Sequence, residues 1–442
     1  MRPIGIDLFA GAGGMSLGFE QAGFDVVAAV EIDPIHCAVH EYNFPNSKVL
    51  CRSVVGLTGS EIRLKAGLGS DRQVDVVFGG APCQGFSMIG QRAFDDPRNS
   101  LVRDFLRIVK ELGANYFVFE NVKGLTLGKH KAFLEELIQA ARGAGYDVRL
   151  KWQVLDAADH GTPQHRQRLF LLGAKKGLPL PAYPKRTTHP ADRIGKKEFG
   201  LPIGPNCRDA LGDLPDADEF EVLLDTDEVK TSEWGKPSDY GKEMRCLTNG
   251  AWHFGQVRAW RPELLTSSIR TSHSEISKRR FSDTMPGKVE PISRFFKLSP
   301  TGLSNTLRAG TDAARGAFTS PRPIHYEYSR CVTVREMARL HGYPDWFRFH
   351  ETKWHGARQI GNSVPPPLAR AVAGEVLKAM GREPTAAEGT LELGDVSLVH
   401  MSMSEAASHF GVAAPSGKRD RKSGAKKRKQ HEIEALRLAA AG

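Results

Sequence analysis

No Cys-x-x-C pair occurs in this chain, and its six cysteines (Cys37, Cys51, Cys83, Cys207, Cys246 and Cys331) are scattered singly through 442 residues. That spacing excludes a zinc finger and a disulfide-stapled scaffold, so no metal is expected and a reducing, cytoplasmic compartment suits the sequence best. Long apolar runs are missing too. No stretch approaches the roughly 18 apolar residues of a membrane span, and Asp7 falls where a signal peptide would need an unbroken apolar core. Neither a membrane partner nor export is therefore expected. Net positive charge is small outside one place: of a formal net charge of +10, most sits between residues 418 and 430, where eight Lys/Arg face a single Asp. A polyanionic partner is implied for that run, but a nucleic-acid role for the rest must rest on motifs. Residues 383–442 lack core patterning and are expected to form a disordered basic tail.

What is present is a soluble globular composition, 40% apolar and 25% charged, in a chain long enough for two or three domains. Ile4–Leu8 reads as a short buried strand running into Phe9, Ala10 and the glycine turn Gly11, Gly13, Gly14, after which Met15, Leu17, Phe19 and Ala22 recur at helical spacing. Strand, glycine turn and helix open a Rossmann-like sheet, although a plain tight turn gives the same letters. Val26–Val30 is a second strand ending in Glu31, placed to hydrogen-bond ribose hydroxyls or else a surface carboxylate. Asp33 and Pro34 then spell an N-cap and first helical turn. A third strand is expected near Lys48–Val55 and a fourth at Val74–Phe78.

The fourth strand breaks at Gly79 and Gly80 and delivers Pro82, Cys83 and Gln84 to a loop. Taken alone, a cysteine there reads first as a buried structural residue. Its location at the carboxyl edge of an open α/β sheet, shared with the glycine turn and Glu31, is where such sheets bind ligands. The glycine-punctuated polar stretch 85–98 reads as a mobile loop. A helix through Leu101, Phe105, Ile108 and Leu112 leads to a strand at Tyr116–Phe119 that ends in Glu120, Asn121 and Val122. Further strands near Val148–Leu155 and Leu169–Leu172 bracket Gln164, His165, Arg166, Gln167 and Arg168. An exposed arginine pair is the bland reading of the last group.

From about residue 176 prolines accumulate and periodicity fades, which argues for a loop-rich second domain to about 305. Its scattered Trp252, Trp260, Arg270, Lys278, Arg279 and Arg280 suit a nucleic-acid surface or a solvated face. Order returns with the capping-box spelling Thr333-x-x-Glu336, a helix ending at Gly342, the group Gly361, Asn362, Ser363, Val364, and a last amphipathic helix through Leu368, Val372 and Val376.

Taken together, Asp7 to Gly14, Glu31, Pro82-Cys83-Gln84, Glu120-Asn121-Val122, Gln164 to Arg168, Arg335 to Pro344 and Gly361 to Val364 resemble, in order, the motifs of the DNA (cytosine-5) methyltransferase family of bacterial restriction-modification type. The resemblance spans residues 4 to about 178 and 300 to 380. It implies an α/β fold: a Rossmann-like S-adenosylmethionine-dependent methyltransferase sheet with a smaller target-recognition domain. The domains would be 1–178 and 306–382 for catalysis and cofactor binding, 179–305 for target recognition, and 383–442 for the tail. The methyl donor would be S-adenosylmethionine, leaving S-adenosylhomocysteine. It would be held by Asp7, Phe9, Gly11, Gly13, Gly14, Glu31, Ile32, Pro82, Leu101, Asn362, Ser363 and Val364. Ser53 stands where the family usually carries an aspartate that contacts adenine.

Cytosine C5 is a poor nucleophile, so a thiolate must first add at C6. The resemblance makes Cys83 that nucleophile, Glu120 the acid at N3, and Arg168 with Arg166 behind it the fixed positive charge. A paired cytosine must be flipped out of the duplex to be reached, with Gln84, Ser87, Gln91 and Arg92 contacting DNA. The implied partners are double-stranded DNA and a cognate restriction endonuclease acting independently, with the methyltransferase itself a monomer acting at the nucleoid. A tRNA substrate, as in one branch of the family, and a catalytically dead DNA-binding regulator are the other readings. The long insert between Arg168 and Arg330 favours DNA over tRNA, and the joint presence of Cys83, Glu120 and Arg168 speaks against a dead scaffold.

Overall fold

The computed structural model describes residues 1–82, 100–126, 130–196, 200–310 and 322–414. At its centre is an eight-stranded sheet: β1 (Ile4–Leu8), β2 (Asp25–Glu31), β3 (Lys48–Cys51), β4 (Val76–Gly79), β5 (Tyr116–Val122), β6 (Tyr146–Val148), β7 (Gln153–Asp156) and β8 (Gln167–Lys175), in the order β3-β2-β1-β4-β5-β8-β6 with β7 also on β8. The first five strands are mutually parallel, and β8 runs antiparallel to β5, β6 and β7. β1 and β4 are buried along their whole length, as parallel strands covered on both faces must be.

Alternation along the strands divides the core. Ile6, Leu8, Val77, Phe117 and Phe119 face one side, with α3 (Gly59–Lys65), α4 (Ser100–Glu111) and α5 (His130–Gly143) packed over them. Val76, Phe78, Val118 and Phe170 face the other, beneath α1 (Gly14–Ala22) and the helix Pro366–Ala379. Gly18 permits that helix pair to close, because a β-carbon there would run into Ala369 and into backbone at Pro366 and Arg370. The expected caps form: Asp33 accepts from the Ile35 and His36 amides at the start of α2 (Pro34–Asn43), and Thr333 with Glu336 closes a reciprocal capping box on the helix Val334–His341.

The second lobe is irregular between residues 200 and 300. It contains α6 (Cys207–Leu211), β9 (Val229–Lys230) paired with β11 (Leu264–Leu265), α7 (Asp239–Met244), β10 (Val257–Ala259) and α8 (Glu275–Asp283). Its core is continuous with α2, α9 (Val334–His341) and α10 (Lys353–Asn362): Leu211, Leu265, Leu298, Met337, Tyr343 and Phe347 lie in one cluster. The final core helix is α11 (Pro366–Ala379).

The expectation of a disordered tail from residue 383 is corrected for residues 383–414. β12 (Thr390–Glu392) pairs in parallel with β10, and α12 (Met403–His409) buries Ala406 and Ala407 in the α2 cluster. The anchors are long-range, such as Gly394 N to Tyr42 O at 2.9 Å and His350 Nε2 to Met401 O at 2.9 Å, and so leave no periodic trace in the local sequence. The basic run 418–430 lies outside the described residues. Among the described residues no helix is long and apolar enough to cross a membrane.

Candidate active site

Four parallel strands end at one edge, and each delivers a residue singled out from sequence. After β1 the chain turns sharply. Phe9 takes a left-handed conformation (φ 61°), sparsely populated for a residue with a β-carbon, and Gly13 does the same at φ 101°. A side chain at Gly13 would strike Phe44. At the tip of β2 the Glu31 carboxylate accepts from three backbone amides, Gly11 at 2.9 Å, Ile32 at 2.9 Å and Asp33 at 3.0 Å. One acid thus locks the glycine turn to the neighbouring strand. Ile32 beside it is 65% exposed, leaving an apolar face open to a ligand.

Gly14 touches the other half of the site. A β-carbon there would lie 2.5 Å from the Val364 carbonyl oxygen, 2.6 Å from Tyr343 Oη and 2.9 Å from Ser363 Cβ. The turn that contains exposed Asn362, half-buried Ser363 and buried Val364 is therefore seated directly on the glycine turn. Gly14→Ala should force the two apart at a cost of ~1–3 kcal/mol. The expected result is a lower unfolding midpoint, measured by denaturant titration.

Beneath the turn, Asp7 is buried and accepts from Ser16 Oγ at 2.7 Å, while Ser16 Oγ lies 3.1 Å from His40 Nε2. Burial raises the Asp7 carboxyl to about 8 against the lowering bond from Ser16, and burial holds His40 down to about 3. Asp7 therefore braces the turn from within the fold and does not present its carboxylate at the surface. Ser16 and His40 carried no sequence signal.

At the β4 edge Gly79 and Gly80 serve close approach, not mobility. A β-carbon on Gly79 would overlap the Leu8 carbonyl, and one on Gly80 would overlap Glu120 Oε2. Glu120, at the end of β5, is buried, and its Oε1 receives Arg168 Nε at 2.9 Å. The register explains the pair: Val122 faces Arg168 and Glu120 faces Phe170, so Glu120 and Arg168 are diagonal neighbours across an antiparallel ladder. Burial pushes the Glu120 carboxyl up, opposed by the charges of Arg168 and Arg166. Asn121 Nδ2 donates to the Ala81 carbonyl at 3.0 Å, tying β5 to the last residues before the cysteine loop. Pro82 is exposed at that point and Leu101, at the start of α4, is half-buried. Cys83, Gln84, Ser87, Gln91 and Arg92 lie outside the described residues.

Arg166 and Ser53 differ from expectation. Arg166 is fully buried and spans two backbone carbonyls, Leu307 at 2.8 Å and Gly361 at 2.7 Å, while burial lowers its guanidinium to about 9. Its charge reaches Glu120 only across space; its hydrogen bonds hold the Gly361–Val364 turn against β8. Ser53 lies past the end of β3, and its hydroxyl accepts from the Val55 amide at 3.1 Å in a local turn. A further joint was not foreseen. Gln164 donates to the Leu340 carbonyl at 3.2 Å and accepts from the Leu307 amide at 3.1 Å, and its Nε2 lies 3.0 Å from His341 Nδ1. His341 Nε2 in turn meets Ser363 Oγ at 3.1 Å. The residue was visible in the sequence as part of the Gln164–Arg168 group, but its partners lie about 140 to 180 positions away.

Among the described residues no group of three or more His, Cys, Asp or Glu could hold a metal ion. A doubly wound sheet whose strand tips gather a glycine turn, a ribose-level acid and a buried acid–arginine pair defines an α/β enzyme that works with a nucleotide-like cofactor. The sequence profile of C-5 cytosine-specific DNA methylases matches residues 4–378. Type II methyltransferase M.XorII of Xanthomonas oryzae pv. oryzae is 57% identical over 413 residues, 93% of this chain and 93% of its own length. Type II methyltransferase M1.HphI of Haemophilus parahaemolyticus is 34% identical over 379 residues, 84% of this chain and 86% of its own. The crystal structure of a prophage-encoded DNA modification methyltransferase (E. coli) superposes with a TM-score of 0.67 at 32% identity, covering 86% of this chain and all of that one. The chain belongs to the C-5 cytosine-specific DNA methylase family, a family of S-adenosylmethionine-dependent methyltransferases.

Proposed function

We propose that this protein is the modification methyltransferase of a Type II restriction-modification system. It would methylate C5 of one cytosine, flipped out of a specific duplex sequence, through a covalent adduct between Cys83 and C6. The observation that carries the chemistry is the buried Glu120–Arg168 pair at the tip of β5, one glycine away from the strand that leads to Cys83. The names borne by the relatives support the biological setting.

In this reading the Cys83 thiolate donates its electron pair to C6, and the C5–C6 double-bond electrons move toward C5 and N3. Glu120, whose carboxyl burial pushes above its ordinary value, would give N3 a hydrogen bond or the proton itself and so offset the developing charge. Arg168 holds that carboxyl at 2.9 Å and presents fixed positive charge to the base. S-Adenosylmethionine supplies an electrophilic methyl group on a sulfonium. Phe9, Gly11, Gly13, Gly14, Glu31, Ile32, Pro82, Leu101 and Asn362–Val364 would hold it, and the fit rests on the glycine turn, whose shape depends on the absence of side chains: a β-carbon at Gly13 would strike Phe44 and one at Gly14 the Val364 carbonyl. Loss of the C5 proton then expels the thiolate and restores aromaticity. Residues 1–178 and 306–382 would form the catalytic unit and 179–305 the reader, with the protein acting as a monomer.

The test is incubation with methyl-labelled S-adenosylmethionine and either duplex DNA or tRNA. Label at cytosine C5 of the duplex is expected, and bisulfite sequencing of DNA from expressing cells should reveal one recurrent site. Label in tRNA alone would overturn the reading.

A further inference from the structure

In the second lobe a tight hairpin, 288–297, follows α8. Its ends pair through Lys297 N to Lys288 O at 2.8 Å and Glu290 N to Phe295 O at 2.8 Å. The hairpin is held rigid from inside. The Glu290 side chain is 1% exposed and accepts from the Ile292 amide at 3.1 Å and the Ser293 amide at 2.5 Å. Phe295 packs on the small cluster of Phe281, Ile324 and Cys331, and the Lys297 ammonium donates to the Phe281 carbonyl at 2.8 Å. Every anchored side chain points inward. Arg294 does not: it is exposed, and its guanidinium has no hydrogen bond or ion pair with any described residue.

Its backbone makes the placement costly. The Arg294 amide closes a turn onto the Glu290 carbonyl at 2.9 Å with φ 63°, a left-handed conformation that glycine adopts without strain and that arginine does not favour. Long flexible cations on surfaces rarely sit on such pivots, so a rigid loop that spends strain to aim one guanidinium outward is the geometry of a preorganised reader. Around it the surface is basic and apolar: Arg279 and Lys288 are exposed, with Met285 at 69% and Val289 at 50%.

The hairpin is also wired to the catalytic floor. Residues 297–309 run from it as a strap: Leu298 bonds to Ile324, Ser304 N to Pro163 O at 2.9 Å, His165 N to Ser304 O at 3.2 Å, and Thr306 Oγ1 to His165 O at 2.7 Å. Arg294 is about ten residues from Ser304, a reach of at most ~35 Å, which is about the length of a duplex of ten base pairs. Arg294 therefore lies no farther from Ser304, which is bonded to Pro163 and His165, than about one helical turn of duplex.

We propose that Arg294 is a specificity-determining residue that reads a guanine of the recognition sequence in the major groove, donating in bidentate fashion to its O6 and N7. This rests on the duplex-DNA reading above. The hairpin sets where the guanidinium lies, and Lys288 and Arg279 supply phosphate contacts without base preference.

The experiment uses the full chain, after its site has been mapped by bisulfite sequencing. Duplexes carrying 7-deazaguanine, which lacks N7, at each site guanine in turn are assayed with the parent and with Arg294→Gly. Glycine suits the left-handed backbone and removes only the side chain. The parent should lose about tenfold or more in kcat/KM at one guanine. Arg294→Gly should lose a comparable factor on the unmodified site and show no further loss from 7-deazaguanine at that same position. S-Adenosylmethionine affinity should stay at the parent value and the unfolding midpoint at or above it, since glycine relieves the left-handed backbone. Arg294→Lys provides a second folded variant, expected to recover phosphate-type affinity but not the guanine discrimination. Activity of Arg294→Gly within twofold of the parent would overturn the proposal. So would a uniform loss across sequences with the 7-deazaguanine effects intact, since Arg294 would then be a phosphate contact. Failure of the parent to methylate duplex DNA at all would instead overturn the reading beneath it.

Discussion

Cys83→Ser should abolish methyl transfer, lowering kcat by at least about 10⁴-fold, while S-adenosylmethionine should still bind with parent affinity. A hydroxyl is far less acidic than a thiol, so serine offers almost no anion to C6 near neutral pH. Most of the residues proposed to hold the cofactor follow β1 and β2 or lie in the Gly361–Val364 turn, anchored independently of position 83 by the Glu31 and Arg166 bonds. A duplex with 5-fluorocytosine at the target sharpens the measurement. Fluorine leaves no C5 proton to lose, so the parent should be trapped as a denaturant-stable protein–DNA adduct and the variant should not. Measurable turnover or trapping by Cys83→Ser would remove the nucleophile assignment.

Glu120→Gln should lower kcat by ~10²–10⁴-fold, with little change in the KM for S-adenosylmethionine. Glutamine keeps the shape beside Gly80 but cannot yield a proton to N3, and it leaves Arg168 facing a neutral group. The pH profile gives a second readout. Burial raises the Glu120 carboxyl above its ordinary 4.5, so the acid form persists to higher pH than an exposed glutamate would allow. The parent's kcat should then fall as pH rises through that raised value, and the variant should lack this alkaline limb. An identical limb in both proteins would assign the titration to another group.

How far the sequence reached depended on the range of the interactions. β1, β2, β4 and β5 were legible because buried parallel strands leave uninterrupted apolar runs, and Glu31, Glu120 and Arg168 because each sits one step beyond such a run or inside a dense motif. The caps at Asp33 and Thr333 were legible for the same local reason. The single stretch expected near Val148–Leu155 proved to be two strands, β6 and β7, both paired to β8, because a three-residue strand carries too few side chains to show alternation. Arg166 read as catalytic charge because its carbonyl partners at Leu307 and Gly361 belong to distant segments. Gly79 and Gly80 read only as the break that ends the fourth strand, whereas space decides them: one has the Leu8 carbonyl against it and the other the Glu120 carboxylate. Ordering of residues 383–414 depends on β10, α2 and His350, none of which is near in sequence.

The strap that returns from the second lobe is stitched to the catalytic strand at Pro163, Gln164, His165 and Arg166 before it reaches the cofactor turn. Those stitches use mainly backbone amides and carbonyls of the strap, at Ser304 and Leu307, and so demand little of the side chains that precede it. The joint is a backbone dowel: it keeps the exit from the second lobe in register with the Gly361–Val364 turn whichever side chains the strap carries, while the lobe itself shares its core with α2, α9 and α10 and is not free to vary.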